Sequence, residues 1–441
     1  MIIEVDTVKG FQDYLPPESL KRKEVKRVIE KYFSLYGFLP IETPFIEFDE
    51  IMKPDALPNE EQDEAVSDRF RLKDRGGRNL GLRYEFTFQL NRIMKMNPTM
   101  KLPFRRYQIG EVFRDEPIGV GRFRQFTQCD VDIIGDSNVN SEAELITMAS
   151  SILKELNIPF EIQINNRKLL NEIIESVEIK NIKQVMRELD KIDKIGEDTV
   201  KSNLRKFADP NQIMTLFKLM EKDITFFKDN AFEGIKDLET LSTLCKKNGI
   251  VTKFNPFMIR GFGYYTGNIY EIKLPKKSTI VAGGRYDKSV GKYLNREIPA
   301  VGISFGLERV TQLANIPIPA PIKAIILSIQ QNTVSNSLAK KFRESGIPVL
   351  VSEDKIGKSL EYADAKGIPF VIFIGEDEVK KKKFKIRNMQ SGEERMLGEK
   401  SIISFLKKQN LFIIPEQLEK AEKVEKTHKK DNAQEMIDEI K

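Results

Sequence analysis

The sequence predicts an α+β protein of two or three domains, and three observations lead to this prediction. The chain has 441 residues, which is too long for one compact core. Residues 105–134 form two extended runs around a loop, whereas residues from about 166 to 250 are rich in Lys, Glu, Leu and Ile and favour helices. Beyond residue 320 strand and helix patterns alternate, which is typical of a small α/β domain.

The N-terminal part of the chain predicts a helix, a strand and a hairpin. Residues 18–36 carry apolar side chains at helical spacing among many charges, and Gly37 marks the end of that helix. Residues 39–45 favour a strand. We expect a hairpin over residues 69–87, with its turn at residues 74–79.

The second half of the chain returns to extended patterns before a linker. Residues 258–272 and 279–282 favour strands, and a helix is expected to start near Phe305. The proline-rich stretch Pro317–Pro321 marks a linker. After it, we expect a largely parallel sheet with strands at 324–329, 349–352 and 370–374 and helices at 334–345 and 359–366.

Composition argues against a membrane protein and against a disulfide-stabilised secreted protein. The apolar runs, such as residues 323–330 and 369–374, are far shorter than a bilayer span, and residues 1–6 lack the pattern of a signal peptide. The two cysteines, Cys129 and Cys245, do not suggest a disulfide framework. We therefore expect a cytoplasmic protein that does not enter the membrane.

The chain is nearly devoid of histidine, since His428 near the C-terminus is its only one. Catalysis by Ser-His-Asp or Cys-His groups and most zinc chemistry need an imidazole, so these mechanisms are excluded. Any catalysis must depend on carboxylates, arginines, tyrosines or backbone amides, with or without a hard metal such as Mg²⁺. This restriction favours phosphate and nucleotide substrates.

Positive charge is concentrated in the C-terminal part of the chain. Residues 321–410 hold 17 Lys/Arg against 11 Asp/Glu, and this excess equals the net charge of +6 of the whole protein. A basic module on a nearly neutral body favours a polyanionic partner such as nucleic acid. The alternative is that the run Lys380–Lys383 is only a solvated hairpin loop.

The strand that ends near residue 134 has an unusual polar face. Because side chains alternate along a strand, one face carries Arg124, Phe126, Gln128, Asp130 and Asp132. Burying this face without partners would be costly, so it must line a polar cavity or face water. The alternative is a solvent-exposed sheet face with salt bridges.

Four further segments carry arginines, carboxylates or aromatics, and in three of them neighbouring glycines allow the backbone to approach a ligand closely. They are residues 82–87, 259–267, 282–287 and 302–309. In the first of them Arg83, Glu85 and Thr87 alternate as they would on a strand. Together with the polar strand, these segments predict one ligand site.

Several segments resemble motifs of class II aminoacyl-tRNA synthetases. Phe113–Glu116, followed by Arg124-Gln125-Phe126, resembles motif 2, and Gly302–Arg309 resembles motif 3. The helix at 18–36 with Pro44 is compatible with motif 1.

The resemblance is narrower still within that class. Arg260–Gly267 and Ala282–Asp287 resemble the two histidine signatures of histidyl-tRNA synthetases, and Lys9–Pro16 resembles the start of that family. Gly357–Leu360 and Ile374–Val379 resemble its anticodon-binding domain, so that the similarity covers roughly residues 7–408.

This resemblance implies a domain order and a set of partners. A class II catalytic domain would span residues 1–319, with a mainly antiparallel sheet flanked by helices and a helical insertion at about 166–250 that clamps the tRNA acceptor stem. An α/β anticodon-binding domain would span 320–410, and residues 411–441 would form a charged tail. The implied activity is the ATP-dependent formation of histidyl-adenylate and the transfer of histidine to tRNA(His). The implied assembly is a homodimer through motif 1.

The resemblance also implies roles for individual residues. The residues implied to bind histidine are Glu85, Phe86, Thr87, Arg114, Gln128, Asp132, Arg260, Tyr264 and Tyr265. Those implied to bind ATP are Arg114, Glu116, Phe126 and Arg309, with Arg114 and Arg260 as the catalytic cations. Glu85, Thr87 and Gln128 would hold the α-ammonium, whereas Asp132 and Tyr265, supported by Tyr264, would recognise the imidazole. The protein itself would supply no metal ligand, because Mg²⁺ would arrive bound to ATP.

Some positions depart from the typical bacterial pattern, and one other function has to be considered. Phe262 and Gly263 depart from the first histidine signature, and Tyr84 and the run Gln128–Asp132 resemble the archaeal and eukaryotic branch.

The alternative function is that of the synthetase-like regulatory subunit of ATP phosphoribosyltransferase, which senses histidine without charging tRNA. Members of that group generally lack the anticodon-binding domain, whereas this chain has a basic C-terminal α/β module.

Overall fold

The structure is a computed structural model that describes residues 5–52, 68–119, 122–260, 264–275, 279–409 and 411–413. The described residues form two compact units. Most residues up to Asn315 belong to the first unit, whereas the residues from Ile316, together with Pro16–Glu24, belong to the second.

The first unit is built on an eight-stranded mixed sheet with the order β1-β5-β6-β11-β10-β9-β7-β8. Only the two outermost pairs, β1 with β5 and β7 with β8, are parallel, so the expected mainly antiparallel sheet is confirmed. The strands are β1 Leu39–Pro40, β5 Phe104–Phe113, β6 Gln125–Ile134, β7 Glu161–Asn166, β8 Thr252–Phe254, β9 Asn268–Lys273, β10 Thr279–Arg285 and β11 Ala300–Gly306.

Helices cover the apolar face of this sheet. They include α1 Glu18–Leu35, α3 Val139–Glu155 and α11 Leu307–Leu313. Phe33 of α1 packs against Tyr107 and Phe305, with ring centroids 5.3 Å and 6.1 Å away. On β6, Cys129, Val131 and Ile133 are fully buried beneath these helices. Because alternate side chains of a strand point to opposite faces, the polar residues of β6 point away from this core.

The region of the predicted hairpin forms a small three-stranded sheet and the helix α2, which differ in part from the prediction. The sheet consists of β2 Ile46–Phe48, β3 Arg71–Lys73 and β4 Asn79–Leu82, and α2 spans Thr87–Met96. The hairpin is confirmed, but its second strand ends at Leu82, so the alternation expected over residues 83–87 is wrong. Arg83 is the reason, because its buried guanidinium donates to the backbone oxygens of Thr43, at 2.7 Å, and Glu111, at 2.6 Å, where the chain leaves the strand. The strand predicted over residues 39–45 is likewise split into β1 and β2.

The predicted helical insertion is confirmed between β7 and β8. Its helices are α4 Arg167–Ser176, α5 Ile182–Leu189, α6 Ile192–Ile195, α7 Glu197–Leu204, α8 Pro210–Met220, α9 Ile224–Asp229 and α10 Ile235–Lys247. The side chain of Asn166 caps α4 by accepting from the backbone N–H groups of Lys168 and Leu169. The Nδ2 of Asn166 also donates to the Oδ1 of Asn268 at 2.8 Å, which ties the start of the insertion to β9.

The second unit contains a five-stranded sheet with the order β14-β13-β15-β16-β17, of which only the first three strands are parallel. The antiparallel strands β16 and β17 were not expected from the sequence pattern. The strands are β12 Ile318–Pro319, β13 Ala324–Ser328, β14 Val349–Ser352, β15 Phe370–Ile374, β16 Phe384–Asn388, β17 Glu394–Leu397 and β18 Phe412–Ile413. The helices are α12 Asn332–Glu344, α13 Ile356–Ala365, α14 Glu376–Lys381 and α15 Glu399–Lys408.

Two expectations for the C-terminal part need correction. The lysine run begins in α14 rather than in a hairpin loop, and Lys382 ends that helix with a left-handed φ of 51°. The first residues of the predicted tail form β18, which pairs with β12. The remainder of the tail, including His428, lies outside the described residues, as do Phe262 and Gly263.

Within the described ranges, no helix combines the length and apolar character that a membrane crossing would require.

We predict that the second unit depends strongly on Phe342 of α12, which is fully buried in the core formed with Ile326, Ile372 and Ile402. Phe342→Ala should lower the free energy of unfolding of this unit by about 3–5 kcal/mol, because it removes buried area and leaves a cavity. Urea unfolding followed by circular dichroism would measure the change. The control is Lys340→Ala on the exposed side of the same helix, whose effect should stay within about 0.5 kcal/mol. Equal midpoints for the two variants would contradict the prediction.

Candidate active site

A cavity of about 1380 Å³ opens on the polar face of the large sheet, entirely within the first unit. The strands β6, β9, β10 and β11 contribute to its lining, together with the segment before α2, the segment after β5 and the insertion. The expected site residues that line it are Glu85, Thr87, Arg114, Glu116, Phe126, Gln128, Asp132, Arg260, Tyr264, Tyr265 and Arg309. The structure therefore brings these separate sequence segments together.

Phe86 is the exception among the expected site residues. Its ring is buried and faces the guanidinium of Arg83, with 4.9 Å between the Arg83 Cζ and the ring centroid. Glu85 and Thr87 on either side line the cavity, but Phe86 does not. Since the chain turns into α2 here, the side chain between those two residues points into the core. A side-chain role of Phe86 in ligand binding is therefore not supported.

The polar face of β6 forms a buried row rather than a solvent-exposed surface. Gln128, Asp130 and Asp132 are 9%, 6% and 4% exposed, which rules out the exposed-face alternative for them. In the antiparallel register, Asp130 lies between Gln108 of β5 and Ser304 of β11. Burial without a directly paired cation raises the pKa of Asp130 to about 7, against the partial opposition of nearby arginines.

Glycines on the neighbouring strands make space for this row. A Cβ at Gly302 would lie 2.0 Å from the Oδ1 of Asp132, and a Cβ at Gly284 would lie 2.8 Å from the ring of Tyr265. Both distances are too short for any larger residue. The two glycines thus allow a carboxylate and a phenol to lie flat against the sheet beneath the cavity.

Asp132 is held from two sides by residues for which the sequence suggested no role. The guanidinium of Arg106 on β5 lies 2.5 Å from its Oδ2, and the hydroxyl of Tyr286 donates to its Oδ1. Tyr286 belongs to the second signature segment, which could have drawn attention to it. Arg106 carried no such signal, because only the pairing of β5 with β6 places it opposite Asp132.

The tyrosines form an aromatic wall beside the carboxylates. The ring centroid of Tyr264 lies 4.8 Å from that of Tyr265 and 5.7 Å from that of Tyr286. The hydroxyl of Tyr264 donates to the Oε2 of Glu85 at 3.2 Å. Burial raises the pKa of Tyr264 well above its ordinary value, so its hydroxyl remains a hydrogen-bond donor at neutral pH.

Two buried acceptors face the same cavity. The Oε1 atoms of Glu85 and Gln128 accept no hydrogen bond within the described residues. The Nε2 of Gln128 donates to the Oγ of Ser304 at 3.0 Å, which fixes the amide. Burial raises the pKa of Glu85 to about 8, with Arg114 acting in the opposite direction. These oxygens are suited to accept N–H groups from a cationic ligand, which would also favour the ionised form of Glu85.

Arg114 forms a first cationic region of the cavity. Its Cζ lies 4.3 Å from the ring centroid of Tyr84 and 5.0 Å from that of Phe126, and its Nε donates to the backbone oxygen of Tyr84 at 3.2 Å. An Nη atom also lies 3.6 Å from the carboxylate of Glu116. The aromatic contacts hold the guanidinium at the edge of the cavity, where a phosphate or carboxylate can reach it.

A second cationic region surrounds Glu271 on β9. Its carboxylate lies 2.8 Å from Arg260 and 3.0 Å from Lys273, and it accepts from the hydroxyl of Thr279 at 2.8 Å. Burial acts to raise the pKa of Glu271, but the two cations lower it below its ordinary value. Arg309 is anchored beside this group by a 2.7 Å hydrogen bond to the backbone oxygen of Thr279. The carboxylate of Asp193 also lies 3.9 Å from Lys273. The three cations still outnumber these two carboxylates, which makes this end of the cavity suited to phosphates.

Comparison with known proteins supports the same assignment in both parts of the chain. A family model described as histidyl-tRNA synthetase matches residues 10–310, and one described as anticodon binding domain matches residues 323–409. A Bacillus cereus protein named histidine–tRNA ligase 1 is 38% identical over 418 residues, which cover 89% of this chain and 95% of that protein.

Solved structures show the same fold. A crystal structure of histidyl-tRNA synthetase from Nostoc is 28% identical, with a TM-score of 0.79 over 92% of this chain and 99% of that one. A Bacillus halodurans structure titled ATP phosphoribosyltransferase regulatory subunit/histidyl-tRNA synthetase has a TM-score of 0.69 over 82% of this chain and 97% of that one. At 19% identity, the latter shows the fold alone.

The branch suggested by the sequence is not supported by these comparisons. Tyr84 and the run Gln128–Asp132 suggested the archaeal and eukaryotic branch, yet the matching relatives come from bacteria such as Bacillus and Helicobacter. The matched models cover both units and the relatives cover most of the chain, so the protein belongs to the histidyl-tRNA synthetase family.

Proposed function

We propose that this protein is a histidine–tRNA ligase, which activates histidine with ATP and then transfers it to the 3' end of tRNA(His). The observation that carries the proposal is the single cavity in which buried acceptors, a tyrosine wall and two cationic regions meet. One end suits the ammonium and ring of an amino acid, and the other suits a polyphosphate. Relatives that carry this name support the same activity.

Recognition of histidine is proposed to depend on the carboxylate–tyrosine part of the cavity. A neutral imidazole has one N–H donor and one acceptor nitrogen, so that Asp132 can accept from the first and Tyr265 can donate to the second. Glu85, Thr87 and Gln128 surround the α-ammonium, for which the two unused Oε1 atoms are acceptors. An amino acid without the imidazole leaves buried polar groups without partners, which is a strong penalty.

Activation is proposed to occur between the two cationic regions of the cavity. The histidine carboxylate attacks the α-phosphorus of ATP, and the bond to the departing pyrophosphate breaks. Arg114 and Arg260 stabilise the negative charge that develops on the phosphorus oxygens, because both guanidinium groups are already held in place. Phe126 and Arg309 hold the adenine between them, and Glu116 contacts the base.

Mg²⁺ is proposed to enter the cavity bound to the phosphates of ATP, where it shares their negative charge. Among the described residues, no three His, Cys, Asp or Glu side chains form a cluster that could hold a metal.

Binding of tRNA is proposed to involve both the insertion and the second unit. The insertion, near residues 166–250, directs basic side chains to the cavity lining and would hold the acceptor stem. These side chains are Arg167, Lys183, Arg187, Lys191, Lys194 and Lys206. The basic domain at residues 320–410 would bind the anticodon, and the affinity should fall as salt rises. We place the catalytic domain at residues 1–319, and we expect the protein in the cytoplasm.

A homodimer is proposed from the apolar surface near the end of α1. Leu35, Leu39, Phe45, Ile46 and Phe48 are each between 47% and 68% exposed and lie close together in sequence, in the region that resembles motif 1. Neighbouring exposed side chains of this size are typical of an interface. A second copy of the chain is the occupant that we propose.

The decisive test of the proposed function is ATP–pyrophosphate exchange with each standard amino acid in turn. Exchange with histidine alone, followed by aminoacylation of tRNA(His), is the expected result. The alternative function, a histidine-sensing regulatory subunit, predicts histidine binding without exchange. That outcome would contradict the proposed function.

Arg260→Ala should abolish most adenylate formation, with a loss of about 100-fold or more in the exchange rate, because it removes a cation from the reacting phosphate. Histidine binding, measured by equilibrium dialysis, should remain within about threefold. Arg296→Ala, an exposed position of the same unit, is the matched control and should leave exchange unchanged. Normal turnover of Arg260→Ala would refute the role of this arginine.

Asp132→Ala should weaken histidine binding by about 10- to 100-fold and relax selectivity, because the acceptor for the ring N–H is lost. The measurement is the KM for histidine, together with exchange in the presence of the other amino acids. Asp229→Ala on the surface of the insertion serves as the control. An unaltered histidine requirement would show that Asp132 does not recognise the ring.

Stability should respond to pH through Asp130. Its folded-state pKa of about 7 lies above the value in an unfolded chain, so its contribution to stability is fully present below about pH 4 and is lost as pH rises through 7. Asp130→Asn lacks this titration. As pH rises from 5 to 8, its free energy of unfolding should therefore increase by about 1–3 kcal/mol relative to that of the unmodified protein. Urea unfolding at both pH values measures the gain, and the surface variant Asp229→Asn should show none. An identical pH dependence with and without Asp130 would contradict the prediction.

A further inference from the structure

Arg106 is a fully buried arginine behind the cavity. Its side chain has 0% exposure, and it is the largest side chain of the described residues that is buried to this degree. It does not line the cavity, but its neighbour across the β5–β6 pair, Asp132, does. Arg106 therefore cannot reach a ligand directly and can act only through another residue.

The partners of Arg106 are unusually few for a buried guanidinium. Within the described part of the chain, its ion-pair partner is Asp132, and its Nε and Nη1 atoms donate no hydrogen bond. A buried ion pair is seldom more stable than well-packed apolar residues of similar volume. Fold stability is therefore a weak reason for a guanidinium here, and the position of its partner at the cavity suggests a functional one.

The surroundings of Asp132 show what this cation does. Burial raises the pKa of Asp132, whereas Arg106 and the hydroxyl of Tyr286 both act to lower it. The other titratable groups that interact with this carboxylate are Asp130 on its own strand, Glu85 before α2 and Tyr270 on β9. Two of these three are carboxyl groups, and the charge of Asp132 helps to raise their pKa values. Arg106 is the cation that directly contacts the carboxylate.

We propose that Arg106 is a positioning residue that keeps Asp132 ionised and oriented, and that it thereby makes the cavity selective for a ring with an N–H donor. An ionised carboxylate only accepts hydrogen bonds, whereas a protonated one can also present a donor to the ring. With Oδ2 paired to Arg106 and Oδ1 to Tyr286, each oxygen keeps a lone pair for the ligand. This inference rests on the proposed function, in which Asp132 recognises the imidazole.

The test compares Arg106→Met, Arg106→Lys and the control Arg105→Met in ATP–pyrophosphate exchange from pH 6 to 8.5. Arg105 is adjacent on β5 but pairs with Glu144, so that its loss removes a cation without affecting the cavity. A triazole analogue of histidine, whose ring stays neutral over this range, separates titration of the protein from titration of the substrate.

We expect Arg106→Met to raise the KM for histidine about 10-fold or more at pH 7 and to change kcat less than about threefold. The acidic limb of the kcat/KM profile should move upward by at least about one pH unit, because the ionised form of Asp132 loses its counter-ion. Arg106→Lys should restore KM to within about threefold, and Arg105→Met should match the unmodified enzyme.

The double variant Arg106→Met with Asp132→Asn carries neither buried charge, so it also covers the case in which Arg106→Met alone does not fold. In the Asp132→Asn background, the loss of Arg106 should have little further effect on KM. An undiminished effect in that background would overturn the proposal. An unchanged KM for histidine in Arg106→Met would also overturn the proposal. The same holds for a loss of kcat/KM that is equal at every pH and is not rescued in Arg106→Lys.

Failure of the proposed function would be recognised separately. If the unmodified protein binds histidine in equilibrium dialysis but supports no exchange, it is not a ligase. The same variants can then be compared by their histidine affinity over the same pH range. A shift in that affinity upon loss of Arg106 would still support the positioning role, and the absence of a shift would refute it.

Discussion

The structure depends on the opposite character of the two faces of one mainly antiparallel sheet, since one face packs against helices and the other lines the cavity. On β6, Cys129, Val131 and Ile133 point into the helix-covered core, whereas Gln128, Asp130 and Asp132 point into the cavity. Strict alternation along the strand means that neither face can change register without the other. Apolar burial on the core face therefore fixes the register that keeps the polar side chains buried on the cavity face. Without it, the burial of these polar groups would be unfavourable.

Each buried charge in the cavity is balanced in its own way. Asp132 has Arg106 as a direct partner, and Glu271 is shared by Arg260 and Lys273. Asp130 accepts a hydrogen bond from the hydroxyl of Ser304 and, among the described residues, has no ion-pair partner. The balance is incomplete at Glu85, where burial raises the pKa to about 8. A ligand ammonium would supply the missing positive charge beside Glu85. Part of the binding free energy would therefore come from hydrogen bonds to buried acceptors that have no partner among the described residues of the free protein.

Small residues matter as much as charged ones for this arrangement. Gly302 and Gly284 leave room for the carboxylate of Asp132 and for the ring of Tyr265, so these two side chains lie against the sheet. The rings of Tyr264, Tyr265 and Tyr286 then pack against one another beside the carboxylates. Shape and charge thus act together, because an interaction with a charged group is stronger where water is excluded.

The sequence by itself determined which side chains of β6 share the polar face, because alternation along a strand is a local property of the chain. It also determined the helical insertion, most elements of the second unit and the chemistry that a chain with one histidine can perform. The tertiary structure alone decided that Arg106 and Gly302 flank Asp132, that Glu85 and Thr87 reach the cavity from the start of a helix, and that Phe86 points away from it. Register between strands and the points where strands end depend on packing and on long-range hydrogen bonds, such as those of Arg83, which a local pattern does not contain.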